Sequence, residues 1–350
     1  MSFELHLQDP TDGSTTLLEH LAASAVGAVT GGAAFAFATV GGVELLLSDP
    51  DFSAFLSSAP FDLVVGVDAI TTPLTLATIS EAQREFPTLT CRALVHDRPN
   101  AIFHPKLAWF GGRSKCHVIV GSGNLTRGGL LSNWEAFGHA VLDAPGLKAV
   151  RRSWQDWCAT NASRLRPLDD EQVLQQAVRN KAAPRKRDED QVERADDTLG
   201  VTPADADVLI AQIPRSSTRW KQANFDLETF QGFFQLRPGA AQRVVLFPVD
   251  AYGVVGHPEV RPSVSVQSQN YRIELGLAAG APYPDTGRPL GVFVRLATRQ
   301  FRYRLVLPGD PVYSALAAFA LSRWQGRVDR MARVTVSFAE LQRFVPMLAL

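Results

Sequence analysis

Phe103-His104-Pro105-Lys106-Leu107-Ala108-Trp109-Phe110, followed by Gly111-Gly112-Arg113-Ser114-Lys115 and then His117-Val118-Ile119-Val120-Gly121-Ser122-Gly123-Asn124, decides how the chain reads. Residues i and i+2 of a strand share a face, so in a strand over Phe103 to Phe110 His104 and Lys106 point the same way while Pro105 points away. His117 to Gly121 is the natural partner, and both runs are apolar enough for a buried sheet. The two glycines of the connection are expected to supply the positive φ of a tight hairpin. Ser122 and Asn124 then fall just past the end of the second strand, and Asn133-Trp134-Glu135 adds an amide and a carboxylate nearby. A histidine, a lysine, a serine, an asparagine and a glutamate are the groups that attack on a phosphodiester requires when no metal takes part.

His-x-Lys followed by Gly-Ser-x-Asn resembles the signature of the phospholipase D superfamily, and Asn-x-Glu resembles its nuclease branch. The usual pattern has an aspartate five residues after the lysine, where this chain has Gly111, and its Gly-Ser pair comes sooner after the lysine. The resemblance covers His104 to Glu135 and their flanks. It implies that His104 attacks phosphorus to give a phosphohistidine, which splits one difficult displacement into two easier ones. A second, protonated imidazole must pass a proton to the leaving oxygen. Lys106 and Asn124 would hold the non-bridging oxygens, with Ser122 as a further donor. Glu135 would fix the tautomer and orientation of His104, and Asn133 either joins this set or shapes the turn before the next strand. The chain carries one His-x-Lys, so the reaction implies a homodimer joined through the catalytic domain, its two-fold axis passing through one shared site. No cofactor and no metal are implied.

The other histidines read as bystanders. His96 and Asp97 read as the end of the strand Cys91 to Val95 and its turn. His117 and His139 sit in apolar strand patterns, His20 lies near a helix without a partner, and His257 stands in a Gly-His-Pro turn. No His, Cys, Asp or Glu spacing reads as a zinc or magnesium site. Three cysteines, few and odd in number, point to reduced buried thiols in a cytoplasm. Glu4, His6 and Asp9 break any targeting signal, and glycines with Glu44 break the Ala- and Val-rich stretch 21–48, so no membrane anchor is expected.

At 350 residues and 46% hydrophobic composition the chain suits two domains. Strands are expected at 34–40, 63–67, 91–95, 107–110, 118–121 and 137–142, with helices at 17–26, 75–86, 147–159 and 169–180. The fold class is thus α/β, a mixed sheet flanked by helices over residues 1–165, phospholipase D-like by the resemblance. Residues 166–200 form a helical and charged linker: Lys181 to Asp197 is crowded with charge and reads as a linker or a solvated helix. Residues 201–350 hold short β-like runs at 208–213, 243–248, 271–275, 290–296, 301–307 and 334–338, with a helix near 312–324. This β-rich half reads as a small barrel or sandwich.

Charge divides the halves. Residues 201–350 hold 17 Lys+Arg against 11 Asp+Glu, which leaves 18 against 24 before them, in a chain of zero net charge. Arginine reads guanine edges and phosphates in a fork geometry. Two segments therefore read as either DNA contacts or ordinary polar loops: Arg215, Arg219, Lys221, Gln222 and Asn224, and then Gln267, Gln269, Asn270 and Arg272. Arg299, Arg302 and Arg304 fit a solvated face as well as a DNA groove. The order of nuclease-like domain, linker and β-rich arginine domain resembles the BfiI-like metal-independent restriction endonucleases, whose second domain is a pseudobarrel related to plant transcription-factor DNA-binding domains. By that resemblance the expected function is a cytoplasmic, restriction-type DNA endonuclease acting on double-stranded DNA, a role that leaves room for a companion DNA methyltransferase. The rivals are a phospholipase or phosphatidyl transferase of the same superfamily, and a DNA-binding regulator whose nuclease domain is inert.

Overall fold

Apolar runs from the first half of the chain assemble into one eight-stranded sheet. In the computed structural model, residues 1–11, 13–182, 202, 204–215, 220–266, 270–327 and 330–350 are described. They fall into two units, Met1–Leu199 and Gly200–Leu350. In the first unit the strands are β1 (Ser2–Gln8), β2 (Thr30–Phe35), β3 (Phe61–Gly66), β4 (Leu89–Leu94), β5 (Lys106–Gly111), β6 (Cys116–Gly121), β7 (Glu135–Leu142) and β8 (Leu165–Arg166), in the order β1-β7-β6-β5-β2-β3-β4-β8. β2, β3 and β4 are parallel; the pairs on either side are antiparallel. The sheet is mixed and flanked by helices, as the alternation of apolar patterns implies.

The helices are α1 (Leu17–Ala25), α2 (Val40–Ser48), α3 (Pro50–Leu56), α4 (Pro73–Glu85), α5 (Ala144–Thr160) and α6 (Glu171–Ala182). α1 starts at a capping box, in which the Thr16 side chain accepts from Glu19 N while the Glu19 carboxylate accepts from Thr16 N. Phe52 and Phe55 of α3 pack with Phe61 and Phe110 on one face of the sheet. Trp154 and Trp157 of α5 meet Trp109 and Phe103 on the other.

Two local expectations are corrected. The strand expected from Phe103 starts at Lys106, because Pro105 has no N–H for a ladder and its carbonyl is instead taken by Ala36 N at 2.8 Å. Neither Gly111 nor Gly112 has positive φ. Gly111 lies inside the ladder opposite Cys116, and a Cβ there would stand 2.6 Å from Cδ1 of Leu147, so a side chain at this position would require Leu147 of α5 to shift. The stretch expected as linker also begins inside the first unit. β8 pairs with β4, and α6 buries Val173, Ala177 and Asn180, the Asn180 amide donating to the carbonyls of Val67 and Thr71 at 2.8 and 3.0 Å. Most of the charged run, 183–197, lies outside the described residues.

In the second unit a six-stranded sheet runs in the order β12-β11-β16-β15-β9-β17, where these are Glu259–Pro262, Arg243–Pro248, Gln300–Val306, Leu290–Ala297, Asp207–Gln212 and Arg333–Ser337. A three-stranded sheet joins β10 (Gln222–Phe225), β14 (Asn270–Glu274) and β13 (Val264–Val266). An aromatic core of Phe225, Phe230, Phe233, Phe234, Phe293 and Tyr303 holds the unit, and a helix over Tyr313–Arg323 packs a second core. The unit is β-rich, as expected, and the finer pseudobarrel arrangement is not shown by its topology. Among the described residues the six-stranded sheet ends at two strands that do not pair, so no closed barrel forms.

Candidate active site

β5 runs antiparallel to β2, so its first residue, Lys106, lies opposite the last residue of β2, Phe35. The C-terminal ends of β1, β2, β3, β4 and β6 and the starts of β5 and β7 therefore share one edge of the sheet, the edge where open α/β sheets keep their ligands. That edge collects His104, Lys106, Ser122, Asn124 and Glu135.

His104 precedes β5 and is exposed, with its ring 5.7 Å from that of Phe37. Nζ of Lys106 lies 3.0 Å from Nε2 and 3.1 Å from Nδ1 of His104. An ammonium only donates, so the imidazole nitrogen that meets it presents a lone pair. Across the edge, Ser122 Oγ donates to Oε2 of Glu135 in a short contact and accepts from Ala136 N at 3.0 Å. Asn133 Nδ2 stands 3.4 Å from Oε1 of the same carboxylate.

Asn124 is buried in a loop that needs its glycines. A Cβ on Gly123 would lie 2.7 Å from Gly129 O, and one on Gly129 would lie 2.5 Å from Asn124 N. Backbone touches backbone here, and only glycine permits it. Leu125 N donates to Phe37 O and Thr39 N to Leu125 O, so this loop is tied to the segment beside His104.

Two supporting residues carry no sequence signal. Gln8, at the end of β1 and 1% exposed, donates to Asn133 O at 3.0 Å and accepts from Leu17 N at 2.8 Å, joining α1 to the residue two before Glu135. Asp68, just past β3, accepts from Phe103 N at 2.6 Å and lies 3.3 Å from Nε2 of His96. The carboxylate beside His96 is therefore Asp68, and together they hold the loop that delivers His104. Only the folded register could reveal either partner.

Gly111, where the usual pattern has aspartate, sits at the far end of β5 and on the face opposite Lys106, five residues away. A side chain there would point toward α5 and away from His104.

His20, read from the sequence as having no partner, has ring neighbours in the fold. His6, His20 and His139 bring ring nitrogens within 4.8 Å of one another, and His117 Nδ1 lies 3.0 Å from His139 Nε2. Antiparallel pairing of β1 with β7 and the descent of α1 onto them produce this, and no local spacing announces it. Cys91 and Cys116 are buried free thiols; burial, first, and then the Asp62 carboxylate push the Cys91 thiol well up, while burial alone pushes Cys116 up to about 11.

In the second unit the two expected DNA-contact segments meet as neighbours. Gln222 pairs with Glu274 and Asn224 with Arg272, and the alternation buries Ala223, Phe225, Tyr271 and Ile273 while leaving Gln222, Asn224 and Arg272 on the half-exposed face. Asn270 begins the same strand, β14. Lys221 is paired with Glu274 at 3.1 Å, and Arg215 lies over the Tyr283 ring. Arg219, Gln267 and Gln269 lie outside the described residues. Arg299 and Arg304 are 4% and 5% exposed and Arg302 donates to Thr202 Oγ1, so Arg299 and Arg304 form neither a solvated face nor a groove.

Among the described residues no helix is long and apolar enough to cross a membrane. No family model matches the sequence, and no curated protein matches it. By fold the chain is similar to the N-terminal domain of Helicobacter pylori LlaJI.R1, at 10% identity and a TM-score of 0.28 over 37% of this chain and 97% of that one. It is also similar to NucT from Helicobacter pylori (13%, 0.33, 47% and 99%) and to Nuc, a phospholipase D family member from Salmonella typhimurium (14%, 0.32, 47% and 97%). At these identities and scores the likeness concerns backbone arrangement alone.

Proposed function

We propose that the chain is a metal-independent DNA endonuclease of the restriction type, cutting phosphodiester bonds through a phosphohistidine on His104. The observation that carries this reading is the meeting of His104, Lys106, Ser122, Asn124 and Glu135 at one sheet edge, from three separate segments. The lone pair of His104 attacks phosphorus, an N–P bond forms as the P–O bond breaks, and a second, protonated imidazole gives its proton to the leaving oxygen. Water then breaks the N–P bond and returns a proton to that second imidazole. Lys106 and Asn124 hold the oxygens on which charge develops, and the carboxylate of Glu135, fixed by Ser122 and Asn133, balances the imidazolium.

The second imidazole is His104 of another copy, related by a two-fold axis through the site. Support for a second copy comes from an apolar surface that reaches the same edge. Leu5 and Val120 flank Gly138 on the sheet face opposite Lys106, at 67% and 54% exposure, with Phe3, Leu7 and Trp134 exposed beside them. So large an open apolar surface is expected to meet a partner. The paired strands β10 and β14 of the second unit, with Gln222, Asn224 and Arg272 outward, are the proposed reader of double-stranded DNA.

The test is plasmid and phage DNA incubated in excess EDTA with the native protein and with His104→Ala. Discrete fragments from the first and none from the second support the reading; cutting by both removes His104 from the chemistry.

One observation favours a second reading. A cavity of about 770 Å³ lined by Leu107, Trp109, Val118, Val120, Trp154 and Trp157 opens on the α5 face, apolar enough for acyl chains. Release of head group from liposomes, with no DNA cleavage, would make a lipid phosphodiester the substrate.

A further inference from the structure

Four of the seven histidines gather on the sheet face that α1 covers. The cluster is distinct from the candidate active site, since His139 lies four residues along β7 from Glu135, about 13 Å at strand spacing. Register makes it: Glu4 pairs with His139 and His6 with Phe137, which sets His6 and His139 diagonally on one face. α1 then lowers His20 between them, its ring centroid 4.0 Å from that of His6 and 5.3 Å from that of His139. His117 holds His139 from behind.

Packing alone does not account for so much imidazole in one place. Nε2 of His20 is buried and makes no hydrogen bond, a cost that proteins ordinarily avoid.

We propose that His6, His20 and His139 bind one divalent transition-metal ion of the zinc class. Imidazole nitrogens on tetrahedral zinc stand about 3.3 Å apart, so rings whose nitrogens are within 4.8 Å close by at most about 1.5 Å on binding. All-nitrogen ligation selects zinc, copper, nickel or cobalt over magnesium and calcium. Water, or the Glu4 carboxylate 3.4 Å from Nε2 of His6, completes the sphere. The ion staples β1, α1 and β7, the elements joined further along by Gln8, and takes no part in phosphoryl transfer.

The experiment uses the untagged full chain, stripped with EDTA and dialysed, and titrated with cobalt(II) followed by zinc(II). Expected are one cobalt per chain with the visible absorption of a four- or five-coordinate site, its displacement by zinc, and a Tm raised by about 5 °C at hundredfold excess over Kd. His20→Gln and His6→Gln lose uptake and the Tm rise, while His257→Gln, in an exposed turn, keeps both. Circular dichroism establishes that each variant is folded; should His20→Gln unfold, His6→Gln on the part-exposed strand decides. Uptake well below one equivalent, or equal uptake in His6→Gln, overturns the site and leaves the histidines as core packing only. Cleavage in EDTA is read separately, so loss of one result does not decide the other.

Discussion

The ammonium of Lys106 stands 3.0 Å from Nε2 of His104, two residues back along the same strand edge. The pair is therefore set before substrate arrives: the lysine orients the ring, and a non-bridging phosphate oxygen drawn to the same ammonium would be brought up to it.

Lys106→Met is expected to lower kcat by a factor of about 10² to 10³, the usual cost of one donor to a developing charge, with a smaller change in KM. Lys106→Arg restores little, because a planar fork does not occupy the position of a point charge. Single-turnover cleavage in EDTA measures both. Equal loss in KM and kcat/KM with kcat intact would reduce Lys106 to a binding residue.

Asp68 takes the amide of Phe103 at 2.6 Å and faces His96 at 3.3 Å, clamping the loop one residue before His104. Asp68→Asn is expected to reduce kcat about tenfold, since a charge-assisted bond is replaced by a neutral one. Amide exchange over 95–105 should rise in the variant. Unchanged exchange together with full activity would show that the clamp is idle.

Leu5 is 67% exposed on β1 and makes no demand on the fold of a single chain. Leu5→Glu should convert a sedimenting dimer to monomer and remove cleavage, with Tm changed by only a few degrees. A native protein that is monomeric and fully active would refute the shared site.

What could be read from sequence, and what could not, follows from distance along the chain. His104 with Lys106, Gly121 to Asn124 and Asn133 to Glu135 are local spacings, and the antiparallel pairing of neighbouring strands brings them to one edge. Gln8 and Asn133 are 125 positions apart and Asp68 and Phe103 are 35 apart, so no window holds both partners. β1 was illegible for a different reason: Phe3, Leu5 and Leu7 are exposed while the polar His6 and Gln8 are the residues that the fold covers, the reverse of an ordinary half-buried strand. The strand expected over 34–40 ends at Phe35, and α2 begins at Val40 despite Gly41 and Gly42. A Cβ on Gly42 would stand 2.2 Å from Leu125 O, so that glycine serves a tertiary contact and not a turn.

His20 is held neutral in the fold down to about pH 4, whereas an unfolded histidine takes up a proton near 6.5. The unfolded chain thus binds more protons between these values, and stability is expected to fall as pH drops from about 6.5 toward 4. Chemical denaturation in EDTA at pH 7 and pH 5 measures it. His20→Gln should flatten that dependence, and an unchanged slope in the variant would assign it to other groups.

Gly111 has a broader consequence. At the position where the resembled signature has its aspartate, the bare backbone of Gly111 meets the end of the Leu147 side chain of α5, on the face of the sheet away from Lys106. Residue 111 faces α5 while Lys106 stands at the other end of β5, so a change of volume there tests the seating of that helix separately from the proposed chemistry.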